Sequence, residues 1–102
     1  MEIEWDEHKA ATNLAKHKVA FEDAIAIFDD KDGVRSDAKT VGGERCHKRT
    51  GIAGAATLLT IIYATREVDG GDVLRIISAR PASRKERRTY GDRSIPTETT
   101  DE

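Results

Sequence analysis

The spacing of apolar residues changes character at Gly33. Ahead of it, Phe21, Ala24, Ile25 and Phe28 recur at i, i+3, i+4 and i+7, the period of one apolar helical stripe. Asp29-Asp30-Lys31-Asp32-Gly33 ends that helix. An earlier helix is predicted after Asp6, a good N-cap, with Glu7 suited to the positively polarised first turn. It runs through His17 and puts Ala10, Leu14 and His17 on one face, with Ala11 and Ala15 beside them. Ile3 to Trp5 reads as a short edge strand.

Beyond Gly33 the signals are those of strands. Gly42-Gly43 predicts a turn before a strand over about 44–52, and 51–56 reads as the next turn. Thr57 to Arg66 carries apolar residues on both faces, Leu58 and Ile62 on one and Leu59, Ile61 and Tyr63 on the other, the pattern of a central strand. Asp69-Gly70-Gly71-Asp72 is a hairpin connection. In the following strand, Val73 to Arg80, simple alternation puts Val73, Arg75, Ile77 and Ala79 on one side and Leu74, Ile76, Ser78 and Arg80 on the other. Pro81-Ala82 stops it. Ser83 and Glu86 then have capping-box spacing for a last helix, expected to reach Tyr90 and end at Gly91.

This order predicts an α+β sandwich: a short N-terminal strand, two helices, an antiparallel sheet and a C-terminal helix. Residues 1–92 are expected to form a single domain and residues 93–102, small, polar and acidic, a disordered tail.

Composition narrows the class. With 37% apolar and 35% charged residues, clustered by element, the chain reads as a folded domain with a very polar surface. Cys46 is the only cysteine, so an internal disulfide is excluded and a reducing compartment is expected. No run approaches the ~20 apolar residues of a membrane span, and the acidic start lacks the order of a signal peptide. A cytoplasmic location with no membrane contact is therefore expected. The net charge of −2 conceals a polarity. Met1 to Asp32 holds nine acids against four lysines, whereas Leu74 to Arg93 holds seven bases against two acids. A locally basic segment can present an electrostatic footprint to a phosphate backbone, or it can be a solvated helix face.

Three stretches in order resemble the BrnT family of toxins. The first is Ile3-Glu4-Trp5-Asp6-Glu7 with Asn13-Leu14-Ala15-Lys16-His17. The second is Phe21-Glu22-Asp23-Ala24 with Phe28-Asp29-Asp30. The third is Leu74-Arg75-Ile76-Ile77-Ser78-Ala79-Arg80, continuing through Ser83, Arg84, Glu86, Arg87 and Tyr90. The resemblance spans about residues 2–91. Pro81 stands where the family often has a basic residue, and the stretch 31–49 is less typical of it. What the resemblance implies is a RelE-like fold and a toxin that cleaves RNA, lowers translation and arrests growth. It also implies a BrnA-like antitoxin with a ribbon-helix-helix DNA-binding region. Toxin and antitoxin would form a hetero-oligomer that reaches operator DNA only through the antitoxin.

Metal-independent RNA cleavage needs a base for the 2′-hydroxyl, fixed positive charge for the phosphoryl oxygens and an acid for the leaving 5′-oxygen. No cofactor is required. Arg80, at a strand end before a turn, is the first candidate, since a planar guanidinium can hold a phosphate through two hydrogen bonds. Its alternative is an ion pair with Glu86. His17 is the first candidate for proton transfer, although a histidine at a helix end also suits the dipole. Glu86 and Tyr90, four apart on the last helix, are candidates for base and phosphate ligand. Glu86 also has a capping role, and Tyr90 can simply cover the sheet. Arg66, Arg84, Arg87 and Arg88 are candidate RNA contacts, and the last three can equally meet an acidic antitoxin. His8 and His47 are weaker candidates, Trp5 suits the core better than base stacking, and Cys46 has no readable partner. The three histidines lack metal-ligand spacing. Arg80→Ala is expected to abolish toxicity and leave folding nearly intact. The competing function is a non-catalytic subunit of an autoregulatory repressor complex, distinguished by whether Arg80 and a proton handler converge in one concave site. A third reading is an interaction protein without toxicity.

Overall fold

The structure is a computed structural model that describes residues 2–41, 44–54 and 57–94. Strand β1 (Glu2–Trp5) leads into α1 (Glu7–His17), then α2 (Phe21–Ala24) and a 3-10 helix (Ile25–Asp29). Strands β2 (Val34–Val41), β3 (Glu44–Ala53), β4 (Thr57–Val68) and β5 (Gly71–Pro81) follow, and α3 (Arg84–Ser94) closes the order. The five strands form one sheet in the order β1-β5-β4-β3-β2. The α+β expectation holds, with one change: β1 runs parallel to β5, so the sheet is mixed rather than antiparallel. No helix among the described residues is long and apolar enough to cross a membrane.

Helix α1 begins as predicted. The Asp6 carboxylate accepts from the backbone N–H of His8 at 2.7 Å and of Lys9 at 3.4 Å. It ends on Lys18 in the left-handed region (φ 62°), whose N–H reaches the Leu14 carbonyl at 2.9 Å. The buried face differs from the predicted stripe. Leu14 is 48% exposed, and the buried residue of α1 is Asn13, at 6%. Strand β1 pairs with β5 only as far as Trp5 opposite Ile76. Past that point, the Asn13 amide donates to the Ala79 carbonyl at 2.7 Å and accepts from the Ala79 N–H at 3.1 Å. It also donates to the Val19 carbonyl at 3.0 Å. One side chain therefore continues the ladder that β1 leaves off, and helix α1 is docked by hydrogen bonds more than by its apolar residues.

The core lies between the sheet and α1, α2 and the 3-10 helix. Phe21, Ile27, Ile61 and Ile76 are fully buried there, with Leu59, Tyr63, Leu74 and Ala79 around them. Trp5 packs edge-on against Phe21 at 5.8 Å, a core role rather than an exposed stacking platform. The predicted second helix divides into a single α turn and a 3-10 turn. Gly51 explains how that segment lies so close to the sheet: a Cβ there would sit 3.1 Å from Ile27 Cβ and 3.3 Å from its carbonyl oxygen. Gly51 is thus part of β3 and not of a turn.

Strand β5 departs from simple alternation. Ile62 pairs with Ser78 but Tyr63 pairs with Ile76, so Ile77 is an extra residue in a β-bulge. The bulge lets Leu74, Ile76 and Ala79 all join the core, while Arg80 turns to the opposite face. The hairpin connection is as predicted, with Val68 opposite Gly71 and Gly70 at φ 89°. Helix α3 continues past Gly91 to Ser94, beyond its predicted end. The predicted Gly42-Gly43 turn and most of the predicted tail, residues 95–102, lie outside the described residues.

Candidate functional site

The sheet face away from the core carries a polar row at the start of α3. Thr50, Thr60 and Arg80 stand directly opposite one another on β3, β4 and β5. Above them the capping box predicted for α3 is formed: Ser83 N–H donates to Glu86 Oε1 at 2.8 Å, and Glu86 N–H donates to Ser83 Oγ at 3.2 Å. The carboxylate that caps the helix also points into the sheet. Arg80 grips it with two bonds, Nη1 to Oε1 at 2.8 Å and Nη2 to Oε2 at 2.9 Å. Thr60 donates its hydroxyl to Oε1 at 2.9 Å, and Lys48 Nζ lies 3.1 Å from Oε2. With its proton given to Glu86, Thr60 accepts from Thr50 at 2.7 Å.

Glu86 is 9% exposed and surrounded by donors. The Arg80 hydrogen bonds hold its carboxyl well below the usual carboxylate range against the effect of burial, with Ser83, Thr60 and Lys48 acting in the same direction. It remains an anion at neutral pH, a poor proton acceptor that fixes two cations. Arg80 in turn is raised above its ordinary value, chiefly by its hydrogen bonds to Glu86. The ion pair expected as the alternative role of Arg80 is therefore present, and the Arg80 side chain as a whole remains 28% exposed.

Tyr90, one turn beyond Glu86, reaches away from this cluster. Its hydroxyl donates to Asp30 Oδ2 at 2.7 Å. That oxygen also accepts from Ile52 N–H at 2.8 Å. Burial, together with the hydrogen bond to Asp30 and the charges of Asp30 and Asp32, pushes the Tyr90 hydroxyl up to about 12. Burial alone would raise Asp30. The bonds from Tyr90, Ile52 and Asp32 and the charge of Arg49 outweigh it and lower the carboxyl instead. Helix α3 is thus pinned at two polar points, Glu86 and Tyr90. Arg84, Lys85, Arg87 and Arg88 face outward and are exposed.

The remaining candidates are divided. His17 is half-buried at the end of α1, which docks through Asn13 on the core side of β5, whereas Arg80 points to the α3 side. Arg80 and His17 thus belong to opposite faces of the sheet. Arg66 is paired with Glu4 at 3.0 Å and is about half exposed. It sits six positions along β4 from Thr60, the residue facing Arg80, or ~20 Å at strand spacing. The two arginines therefore occupy opposite ends of the hairpin. Lys48 was not anticipated; only strand register brings it beside Glu86, and no local spacing signals it. Among the described residues no group of three His, Cys, Asp or Glu side chains is placed to hold a metal.

A groove of about 320 Å³ runs beside this cluster, between α3 and the β2–β3 edge, lined by Ser36, Lys48, Thr50, Lys85, Glu86 and Thr89 among others. Cationic groups stand on both walls and the fixed carboxylate lies at its base. Such an arrangement can bind a polyanion, and Arg80 and Lys48 can stabilise charge on a phosphate.

Comparisons with known proteins agree with this architecture. Residues 5–86 match the family described as the ribonuclease toxin, BrnT, of type II toxin–antitoxin systems. A crystal structure of the Brucella abortus ribonuclease toxin BrnT is similar, with a TM-score of 0.58 and 29% identity, covering 82% of this chain and 99% of that one. No curated protein matches the chain. The family match takes in the capped α1, the core and the strand that carries Arg80, as far as Glu86 on α3, and the chain therefore belongs to the BrnT family of ribonuclease toxins of type II toxin–antitoxin systems.

Proposed function

We propose that this toxin is a metal-independent endoribonuclease that cuts RNA, lowers translation and arrests growth in the cytoplasm. The reading rests most on one arrangement: Arg80 and Lys48 are held on a single anion at the edge of a groove whose other wall is the cationic helix α3. Fixed cations of this kind stabilise a phosphorane-like transition state without reorganising during the reaction. RNA phosphates are held by Arg84, Arg87 and Arg88 and approach the exposed edge of Arg80. Glu86 acts as the group that positions Arg80 and Lys48. Tyr90, protonated at neutral pH, donates rather than accepts. A BrnA-like antitoxin with a ribbon-helix-helix region covers the cationic face in the resting complex and carries that hetero-oligomer to operator DNA.

Expression of the wild type and of Arg80→Ala without antitoxin tests this reading, with growth and cellular RNA integrity followed together. Arrest with fragmented RNA for the wild type alone supports it. Arrest with intact RNA favours a binder that blocks translation. That second reading has an observation in its favour, because Arg80 is already engaged by Glu86 and His17 lies on the other face.

A further inference from the structure

Residues of β2 and β3 alternate between two faces, and each face has its own cavity at this edge of the sheet. Ser36, Lys48 and Thr50 line the α3 groove, whereas their neighbours Arg35, His47 and Arg49 line a second cleft of about 380 Å³ on the core side. Phe28, Tyr63 and Leu74 give that cleft an apolar wall.

Its geometry follows from register. Arg35 stands opposite Arg49, and His47 opposite Tyr63. Arg35 Nη2 lies 3.3 Å from His47 Nδ1. A guanidinium only donates, so Nδ1 accepts and the imidazole carries its proton on Nε2. His47 is 8% exposed, and its ring lies tilted at 5.4 Å from Tyr63, which meets Phe28 edge-on at 5.4 Å. Arg49 is held deeper, its Nη2 donating to the Asp30 carbonyl at 2.9 Å. Arg35 is the exposed cation of the set.

We propose that this cleft is a second nucleotide-binding site, which takes one ribonucleotide unit of a single-stranded RNA. Arg35 receives the phosphate at the mouth, and the Phe28–Tyr63–His47 wall receives the base and ribose. An arginine beside aromatic faces is the combination by which proteins hold unpaired bases in a sequence-tolerant way. The cavity volume falls within the ~300–1,000 Å³ of small-molecule sites, larger than an isolated phosphate needs. Because the cleft and the α3 groove lie back to back across β2 and β3, a strand folding over that edge would engage both. The inference concerns binding and stands whether or not the toxin cuts.

The test is an NMR titration of the full chain with adenosine 3′-monophosphate, following the His47 ring and the Arg35 side chain. Inorganic phosphate and an aspartate-rich peptide are run in parallel. Saturable shifts at both residues are expected with the nucleotide. Arg35→Gln, a change at an exposed position, should weaken binding by about tenfold or more, the loss of one charge-assisted hydrogen bond. Arg88→Gln on the other face should not alter the shifts at His47. Shifts confined to α3, equal saturation by phosphate alone, saturation by the acidic peptide only, or an unchanged affinity in Arg35→Gln would each overturn the proposal. Failure of the wild type to cut RNA would remove the ribonuclease reading and leave this result standing.

Discussion

Arg80 and Glu86 meet through two parallel hydrogen bonds of 2.8 and 2.9 Å, six residues apart, one at the end of β5 and the other in the first turn of α3. The pair joins strand to helix across Pro81 and Ala82. It also gives the helix its cap, since the same carboxylate accepts from Ser83 N–H.

Arg80→Ala should therefore affect more than activity. The sequence alone leads to an expectation of nearly intact folding. Leaving Glu86 with Lys48 as its remaining cation is instead expected to lower stability. Breaking a fully buried pair costs ~3–5 kcal/mol, and the partial exposure of Arg80 puts this case lower, at ~1–3 kcal/mol. A double-mutant cycle with Glu86→Gln, measured by urea unfolding, should return a coupling of at least ~1 kcal/mol. Additive single costs would mean that the two groups are energetically independent.

Acid should release α3. Glu86 and Asp30 both have folded-state pKa values below their unfolded ones. Their contribution is fully present above the unfolded carboxylate values, ~4, and is lost as pH falls through the lower folded values. Stability should be flat near neutrality and drop steeply below about pH 4. Glu86→Gln should flatten that drop. Urea midpoints across pH 2–7, an order-of-magnitude choice of window around those carboxylate values, measure both.

The tyrosine anchor behaves in the opposite sense. Raised to about 12 in the folded state, Tyr90 contributes stability that is present below its unfolded value and lost as pH rises through the folded one. Tyr90→Phe should cost ~0.5–1.5 kcal/mol at neutral pH and remove the high-pH step from a tyrosinate absorbance titration. If the step persists in the variant, it does not belong to Tyr90.

Asn13→Leu is expected to be far more damaging than Leu14→Lys, contrary to their hydropathies. The first leaves the N–H and C=O of Ala79 without the amide that serves them, at ~1–3 kcal/mol for each unsatisfied group. The second changes a largely exposed side chain and should stay within ~0.5 kcal/mol. Thermal unfolding of the two variants decides the order.

RNA binding through α3 should be salt-dependent. Changing Arg84, Arg87 and Arg88 together to Gln should weaken binding across RNA sequences and reduce the slope of log K against log salt by up to ~0.7 for each lost phosphate contact. An unchanged slope would assign these arginines to the antitoxin.

The sequence by itself determined the local features. The Asp6 cap, the Ser83–Glu86 capping box, the Asp69-Gly70 connection and the apolar β4 each depend on residues a few positions apart, whose spacing is visible in the chain. The resemblance to a toxin family was legible for the same reason, in short ordered stretches. Tertiary structure decided what depends on register and on bulges. One extra residue at Ile77 moved Arg80 off the face of Leu74 and Ile76, and strand pairing brought Lys48 to Glu86 and Arg35 to His47. The burial of Asn13 follows from β1 stopping at Trp5, which leaves Ala79 in need of a partner. Such a requirement arises only when two distant segments lie side by side, because a backbone group is left unpaired by the length of its neighbour and not by its own sequence.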